Sequence, residues 1–286
     1  MNNDKNFIIG TAQIGQIYGL NKQSELNNVT AGVKFIDSAI ELGCTMFDTA
    51  QAYGNSEKII GKRKHINNIK IFTKIPKLKK LNIEEINNYF SKSMNNLNVK
   101  NIEGLFLHHP NNRNIYNIDT FIKNLLNKNK INQFGLSIYD EKDIFQNEYI
   151  NLLQIPGNIF NQSILTSKKI LNFVNNGGNL LVRSIFIQGL ILMDIDSIPN
   201  HLSILKNPIK KFHELSRKFE VLPEELAIAV VKELCPNMTP VIGCDNIEQL
   251  KHLKIIYNKN IDSTIVNHAV DLGRKFNHDL WDPRLW

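Results

Sequence analysis

The sequence predicts an α/β chain closed into an eight-stranded parallel barrel and forming a single domain. Three observations point there. Short apolar runs alternate with amphipathic stretches from end to end, the pattern of parallel strands joined by helical crossovers. Eight such apolar runs are present. The 286 residues are close to the ~250 that a (β/α)8 TIM barrel takes. A doubly wound open sheet is the alternative for the same units, and the count of eight favours closure.

The strand candidates, in order, are Phe7–Thr11, Met46–Asp48, Ile69–Thr73, Gly104–His108, Gln133–Ser137, Leu152–Ile155, Leu180–Ser184 and Pro240–Ile242. Between them the apolar period becomes helical. Val29–Leu42 sets Val29, Val33, Ile36 and Ile40 on one face, and Ile83–Leu97 does so with Ile86, Phe90, Met94 and Leu97. Further helices are expected near Ile118–Lys128, Leu165–Val174, Ile209–Phe219, Pro223–Leu234 and Ile247–Ile256. Pro223, followed by two glutamates, suits a first helical turn. Gly177-Gly178 reads as a helix-to-strand turn, and no linker divides the chain. The segment 261–286 follows the last strand–helix unit and ends in DLWDPRLW, a tail that must pack on the barrel or fray.

Hydrophobic residues make up 42% and charged residues 21%, ordinary for a soluble globular protein. The formal charge is +7 and the pI about 9.1. Basic patches such as Lys77-Leu78-Lys79-Lys80 contain no interleaved aromatics, so they read as solvated surface that also attracts small anions. No nucleic-acid partner is expected. Cys44, Cys235 and Cys244 form no CxxC pair, which argues against a disulfide framework or zinc site and for a reducing compartment. No segment resembles a signal peptide or bilayer span. A cytoplasmic protein is expected, with no oligomeric state assigned.

Four side chains stand out because they fall at strand ends or just beyond them: Asp48 and Tyr53 in FDTAQAYGNSE, Lys74 in KIFTK and His108 in GLFLHHP. Residues at strand C-termini of an alternating strand–helix chain converge on one face. A free phenol has a pKa near 10, and a neighbouring ammonium favours its phenolate. Lys74 is expected to supply that charge, with Asp48 behind it, making Tyr53 a proton donor to a carbonyl oxygen. His108 is a hydrogen-bond partner for that oxygen or a member of the relay. His108 and His109 point to opposite faces of a strand, so no metal site is expected.

The chain resembles the aldo-keto reductases. GTAQIG at the first strand, FDTAQAYGNSE after the second, FTK at the third and LHHP at the fourth carry the likeness. FGLSIYD, LLQIPGNIFN, RSIFIQGLIL and VIGCDN extend it through the later strands. The resemblance implies a catalytic tetrad of Asp48, Tyr53, Lys74 and His108, and nicotinamide-dependent interconversion of carbonyls and alcohols. It implies cofactor contacts from Gln154, Ser137, Arg183, Ser184, Gly243 and Asp245. Ile138 stands where the family commonly has asparagine, and Arg183 where an aromatic residue commonly stacks on nicotinamide. Arg183 is left with three roles: stacking, an anionic substrate or phosphate, or pairing with an acid.

Family frequency puts NADPH first as cofactor. The acidic Asp245 and Glu248 and the missing base in VIGCDN argue against a strong preference, and NADH follows closely. No GxGxxG or GxxxxGK[ST] element is present, so nucleotide binding rests on the barrel mouth. Phe186–His201, Gln188, Arg183, Arg284 and Trp286 are candidate substrate neighbours, suited to a sugar or an anionic carbonyl compound. Two other readings are a non-catalytic, cofactor-sensing barrel and a Schiff-base enzyme using Lys74.

Overall fold

Every apolar run becomes a strand. The computed structural model describes residues 7–20, 25–64, 69–109, 112, 114–145, 147–276 and 278–286. The first half contains β1 (Ile8–Gly10), α1 (Ala12–Gly15), α2 (Val29–Glu41), β2 (Met46–Asp48), α3 (Ser56–Gly61), β3 (Lys70–Ile75), α4 (Ile83–Leu97), β4 (Ile102–Leu107) and α5 (Ile118–Asn127). The second contains β5 (Ile131–Ser137), β6 (Ile150–Pro156), α6 (Lys168–Asn175), β7 (Asn179–Arg183), α7 (Lys206–Lys218), α8 (Pro223–Leu234), β8 (Met238–Gly243), α9 (Ile247–Ile256) and α10 (Ser263–Lys275). The strands are parallel and adjacent in sequence order, and β1 pairs with both β2 and β8, so the sheet closes. The open doubly wound sheet is thereby excluded.

Helix starts use the chain's abundant asparagine. The Asn28, Asn82 and Asn246 side chains each accept backbone N–H groups of the following turn, satisfying donors that the helix itself leaves unpaired. Strand ends shift where the neighbouring ladder continues. β3 runs past Thr73 because Lys74 pairs with Phe106 and Ile75 with Leu107, so Lys74 lies inside the strand and His108 just beyond one. The short helices α1 and α3 carry too few residues for a helical period to declare itself. Pro110, the last residue of LHHP, lies outside the described residues.

Segment 261–286 forms α10, which packs on α7 and α8, and two 3-10 turns. Its anchor is Trp281, 2% exposed. That indole stacks on Phe160 at 4.2 Å and 11° and donates to the Phe276 carbonyl at 2.6 Å.

The barrel interior sets up the site. Ile8, Phe72, Phe106, Leu152, Leu181 and Val241 form one enclosed apolar cluster, with Met46 against it. Gly104 is bare because a Cβ there would lie 2.5 Å from the Phe72 ring and 2.7 Å from Leu152. Side chains repeat every second residue along a strand. Two residues beyond the apolar layer, the same inward face therefore carries Gly10, Asp48, Lys74, His108, Gln154, Arg183 and Gly243. Ser137 takes the equivalent position after Gly135. Among the described residues no helix is long and apolar enough to cross a membrane.

Trp281→Ala is expected to lower the unfolding free energy by about 3–5 kcal/mol, measured by denaturant titration. A loss below about 1 kcal/mol would mean that the C-terminal segment is docked by other contacts.

Candidate active site

Lys74 has no exposed surface, and its three ammonium hydrogens are all spoken for. It donates to Asp48 Oδ1 at 2.7 Å, to Oδ2 at 2.6 Å and to the Thr49 carbonyl at 2.8 Å. Gln154 Nε2 donates to the same carboxylate at 2.7 Å, and Ser137 Oγ donates to Gln154 Oε1 at 3.1 Å. Burial pulls the Lys74 pKa down, opposed by Asp48, and the three acceptors hold the charged form. An ammonium so engaged is a poor Schiff-base nucleophile, which argues against the lyase or isomerase reading. Ser137 and Gln154 are thus joined to the ionic pair, through which they orient Asp48.

Tyr53 reaches this pair from a loop that the rest of FDTAQAYGNSE ties down. Ser56 Oγ donates to Thr11 Oγ1 at 2.7 Å and meets Thr49 Oγ1 at 2.9 Å. Thr11 Oγ1 donates to the Asp48 carbonyl at 2.9 Å, and Thr73 Oγ1 donates to buried Glu57 at 2.7 Å. Gly15 makes the approach possible, since a Cβ there would lie 1.8 Å from the Tyr53 carbonyl. Gly54 takes the turn at φ +57°, where other residues are strained.

The Lys74 ammonium sits 5.0 Å from the Tyr53 ring centroid. The His108 ring meets Tyr53 edge-on at 5.9 Å. The expected fall in the phenol's pKa is not found. Burial and the Asp48 charge push it up, against the pull of Arg183. The main reason is burial, which disfavours the phenolate. Burial, with Lys74, Arg183 and His109 nearby, pushes the His108 pKa down to about 3. Near neutral pH the site therefore holds a protonated phenol and an uncharged imidazole.

A cavity of about 420 Å³ opens at Tyr53 and Asp48 and crosses the ends of β1, β7 and β8. It reaches Glu224 at the start of α8 and Gln249 and His252 on α9. Arg183, Ser184, Gly243 and Asp245 line it, whereas Lys74, His108, Ser137 and Gln154 do not. Gly243 leaves room for the Gln13 side chain, whose amide would lie 2.5 Å from a Cβ. Gly189 borders the cavity with open space where its Cβ would be. The loop carrying it holds Ser184, Ile187 and Gln188 at positive φ. For a β-branched residue such as Ile187 this is strained, and Ile187 keeps it while fully buried. At the outer end Glu224 meets His252 at 3.2 Å, and burial raises the Asp245 pKa. Lys251 is turned to Glu248 at 2.8 Å.

Three site residues escaped sequence reasoning. Tyr139 lies two residues past Ser137, so period two gave the signal. Tyr18, a cavity residue whose pKa burial pushes up to about 12, sits in a loop with no periodicity. Glu224 comes from the helix before β8, which only folding brings to the cavity. Among the described residues no cluster of three or more His, Cys, Asp or Glu suits a metal ion.

The aldo/keto reductase family profile matches residues 6–271. The glycerol dehydrogenase of Gluconobacter oxydans superposes with a TM-score of 0.73 at 21% identity, over 93% of this chain and 90% of that one. A thermostable aldo-keto reductase solved with the inhibitor epalrestat gives 0.74 at 16% identity, over 93% and 94%. At such identities the likeness speaks to the fold. No curated protein matches the chain significantly.

Lys74→Met leaves the Asp48 carboxylate buried without its counter-charge and is expected to destabilise the protein by about 3–5 kcal/mol. Lys74→Met combined with Asp48→Leu removes both charges and should recover most of that loss. A double variant no more stable than the single one would mean that charge is not what binds the pair.

His108 gives a pH dependence of known sign. Unfolded, its imidazole takes a proton near 6.5, and folded only near about 3. Between those values the unfolded state holds more protons, so stability rises with pH. The contribution is present above about 6.5 and lost as pH falls toward about 3. His108→Gln should flatten the slope of unfolding free energy between those limits. An unchanged slope would mean the imidazole protonates as readily folded as unfolded.

Proposed function

The chain belongs to the aldo/keto reductase family, and from that premise we propose that it is a nicotinamide-dependent oxidoreductase. It interconverts an aldehyde, ketone or sugar carbonyl and the corresponding alcohol, with Tyr53 as general acid and base. The observation that carries this reading is the Tyr53 phenol lining a cavity beside a fixed, fully buried Lys74 ammonium. When bound, the nicotinamide supplies the hydride.

Each residue then has a definable task. The Tyr53 hydroxyl bonds to the carbonyl oxygen and releases its proton as that oxygen gains charge. At neutral pH the phenol carries its proton, as an unshifted phenol also would, and this is the form that the reducing direction uses. Lys74, held by Asp48, steadies the negative charge that develops on the Tyr53 oxygen. Neutral His108 donates one ring N–H to the same carbonyl oxygen and fixes its angle. A general acid in this role contributes about 10²–10⁴ in rate.

The cavity suits a dinucleotide by its course from Tyr53 past the ends of β1, β7 and β8 to α8 and α9, and by the bare backbone at Gly189. Ser184, Gly243 and Asp245 are its proposed wall contacts, with Ser137 and Gln154 acting from beneath through Asp48. NADPH keeps its place as the family's commoner cofactor, with NADH its near equal. Among the described residues no Lys or Arg lines the outer end, where Glu224 and Asp245 stand, so an additional phosphate gains little there. The free, buried thiols of Cys44, Cys235 and Cys244 support a reducing, cytoplasmic setting.

Tyr53→Phe is expected to lower kcat for carbonyl reduction by about 10²–10⁴-fold while leaving the Kd for either nicotinamide within about threefold. In the unaltered protein the NADPH and NADH constants should differ by less than about tenfold, or 1.4 kcal/mol. Fluorescence titration and initial rates supply both readings. Full activity in the variant would end this mechanism, and tight cofactor binding without turnover of any carbonyl would favour the cofactor-sensing barrel.

A further inference from the structure

Two arginines share one aromatic ring at the mouth of the barrel, and only one of them has an anion. The Arg183 guanidinium carbon lies 4.2 Å from the Tyr139 ring centroid, and that of Arg284 lies 3.5 Å from it. Arg284 is bound by Asp282, its Nε donating to the two carboxylate oxygens at 3.0 and 2.8 Å and its Nη2 donating to Oδ2. Asp282 is thereby occupied.

Arg183 is different. Its polar contacts are the Ile138 carbonyl at 3.4 Å and Ser184 Oγ at 3.5 Å. Both are long, and both acceptors are neutral. Among the described residues no carboxylate lies within ion-pair distance of it. Yet it is half-buried and lines the same cavity as Tyr53. A guanidinium partly withdrawn from water is costly without a counter-charge. Stacking on Tyr139 offsets part of that, and the fork's two contacts are long ones to neutral acceptors that an anion would outcompete.

We infer that the substrate carries a carboxylate in addition to its carbonyl group, and that Arg183 binds it. This rests on the oxidoreductase reading and narrows its substrate class to oxo acids and sugar acids. The charge count at the mouth selects a monoanion. Lys74 is cancelled by Asp48 and Arg284 by Asp282, leaving Arg183 as the single uncompensated positive charge of this group. A planar carboxylate matches two N–H donors of a guanidinium. Pairing with an acid of the chain, one of the three roles open to Arg183, is absent among the described residues. Face stacking on another ring and edge binding of an anion are separable, because only the second responds to the charge of the substrate.

The test compares substrates that differ in a carboxylate alone: 4-oxobutanoate against butanal, and D-glucuronate against D-glucose. Initial rates on the unaltered protein should give a kcat/KM at least about tenfold higher for the acid of a pair, the size expected of one charge-assisted contact. Arg183→Gln should erase that ratio, and Arg183→Lys, which keeps the charge without the fork, should restore part of it. Titration of the protein with glucuronate and glucose, read by intrinsic fluorescence, supplies the same comparison without turnover. Equal efficiency and equal binding within each pair, or a ratio that Arg183→Gln leaves unchanged, would overturn the inference. Failure of the oxidoreductase reading looks different: no member of either pair is reduced, whatever the binding titration gives.

Discussion

A charged lysine with no water contact sets the terms for the mouth of this barrel. Lys74 donates three hydrogen bonds and finds three acceptors. Asp48 is held in turn by Gln154, and Gln154 by Ser137. The chain of contacts runs from β3 to β2, then to β6 and β5, so four strands are linked across the interior by one charged group. A buried ion pair of this kind adds little net stability over an apolar replacement, but it makes mispairing expensive. Any shift in strand register would strand either the ammonium or the carboxylate. The same network keeps the charge next to Tyr53 fixed, and a fixed charge needs no reorganisation when a proton moves.

Beneath that network the barrel is dry. Phe72, Phe106, Leu152 and their neighbours fill the interior, and Gly104 gives up its side chain to admit Phe72. The apolar floor keeps water from reaching Lys74 from below, which strengthens its contacts. Above it, Tyr53 is positioned by a polar lattice from three elements. Thr11 after β1, Thr49 and Ser56 around the loop, and Thr73 on β3 with Glu57 form it. These residues hold backbone in place so that the phenol meets Lys74 and His108 from the loop side.

The charge layout divides the cavity. Its inner end is formed by Tyr53 and Asp48, with the His108 ring edge-on to Tyr53. Its outer end is lined by carboxylates and a histidine. Between them runs the loop from Ser184 to Gly189, held at positive φ in several residues. Such strain persists where surrounding packing over-determines it. Here the buried side chains of Ile187, Leu190 and Ile191 provide that packing. The C-terminal segment closes the rim, with Trp281 as anchor and Arg284 over Tyr139.

The sequence by itself determined the barrel and the inward placement of Asp48, Lys74 and His108 at its strand ends. Eight apolar runs and the helical periods between them are local signals, and period two carries Asp48, Lys74 and His108 inward from the apolar layer without knowledge of distant contacts. Tyr53 was legible from its motif rather than from periodicity, since it sits on a loop. What only the tertiary structure decided involves groups brought together from afar. Gln154 turns to Asp48, 106 residues away, and Glu224 reaches the cavity from a helix whose own pattern reports only its buried face. The raised pKa of Tyr53 belongs here too, because it comes from burial and from the nearby Asp48 charge. So does Arg183, which among the described residues has no carboxylate within ion-pair distance because the nearby Asp282 is bound to Arg284. Local pattern fixes which way a side chain points, while pairing and desolvation depend on the whole set of neighbours.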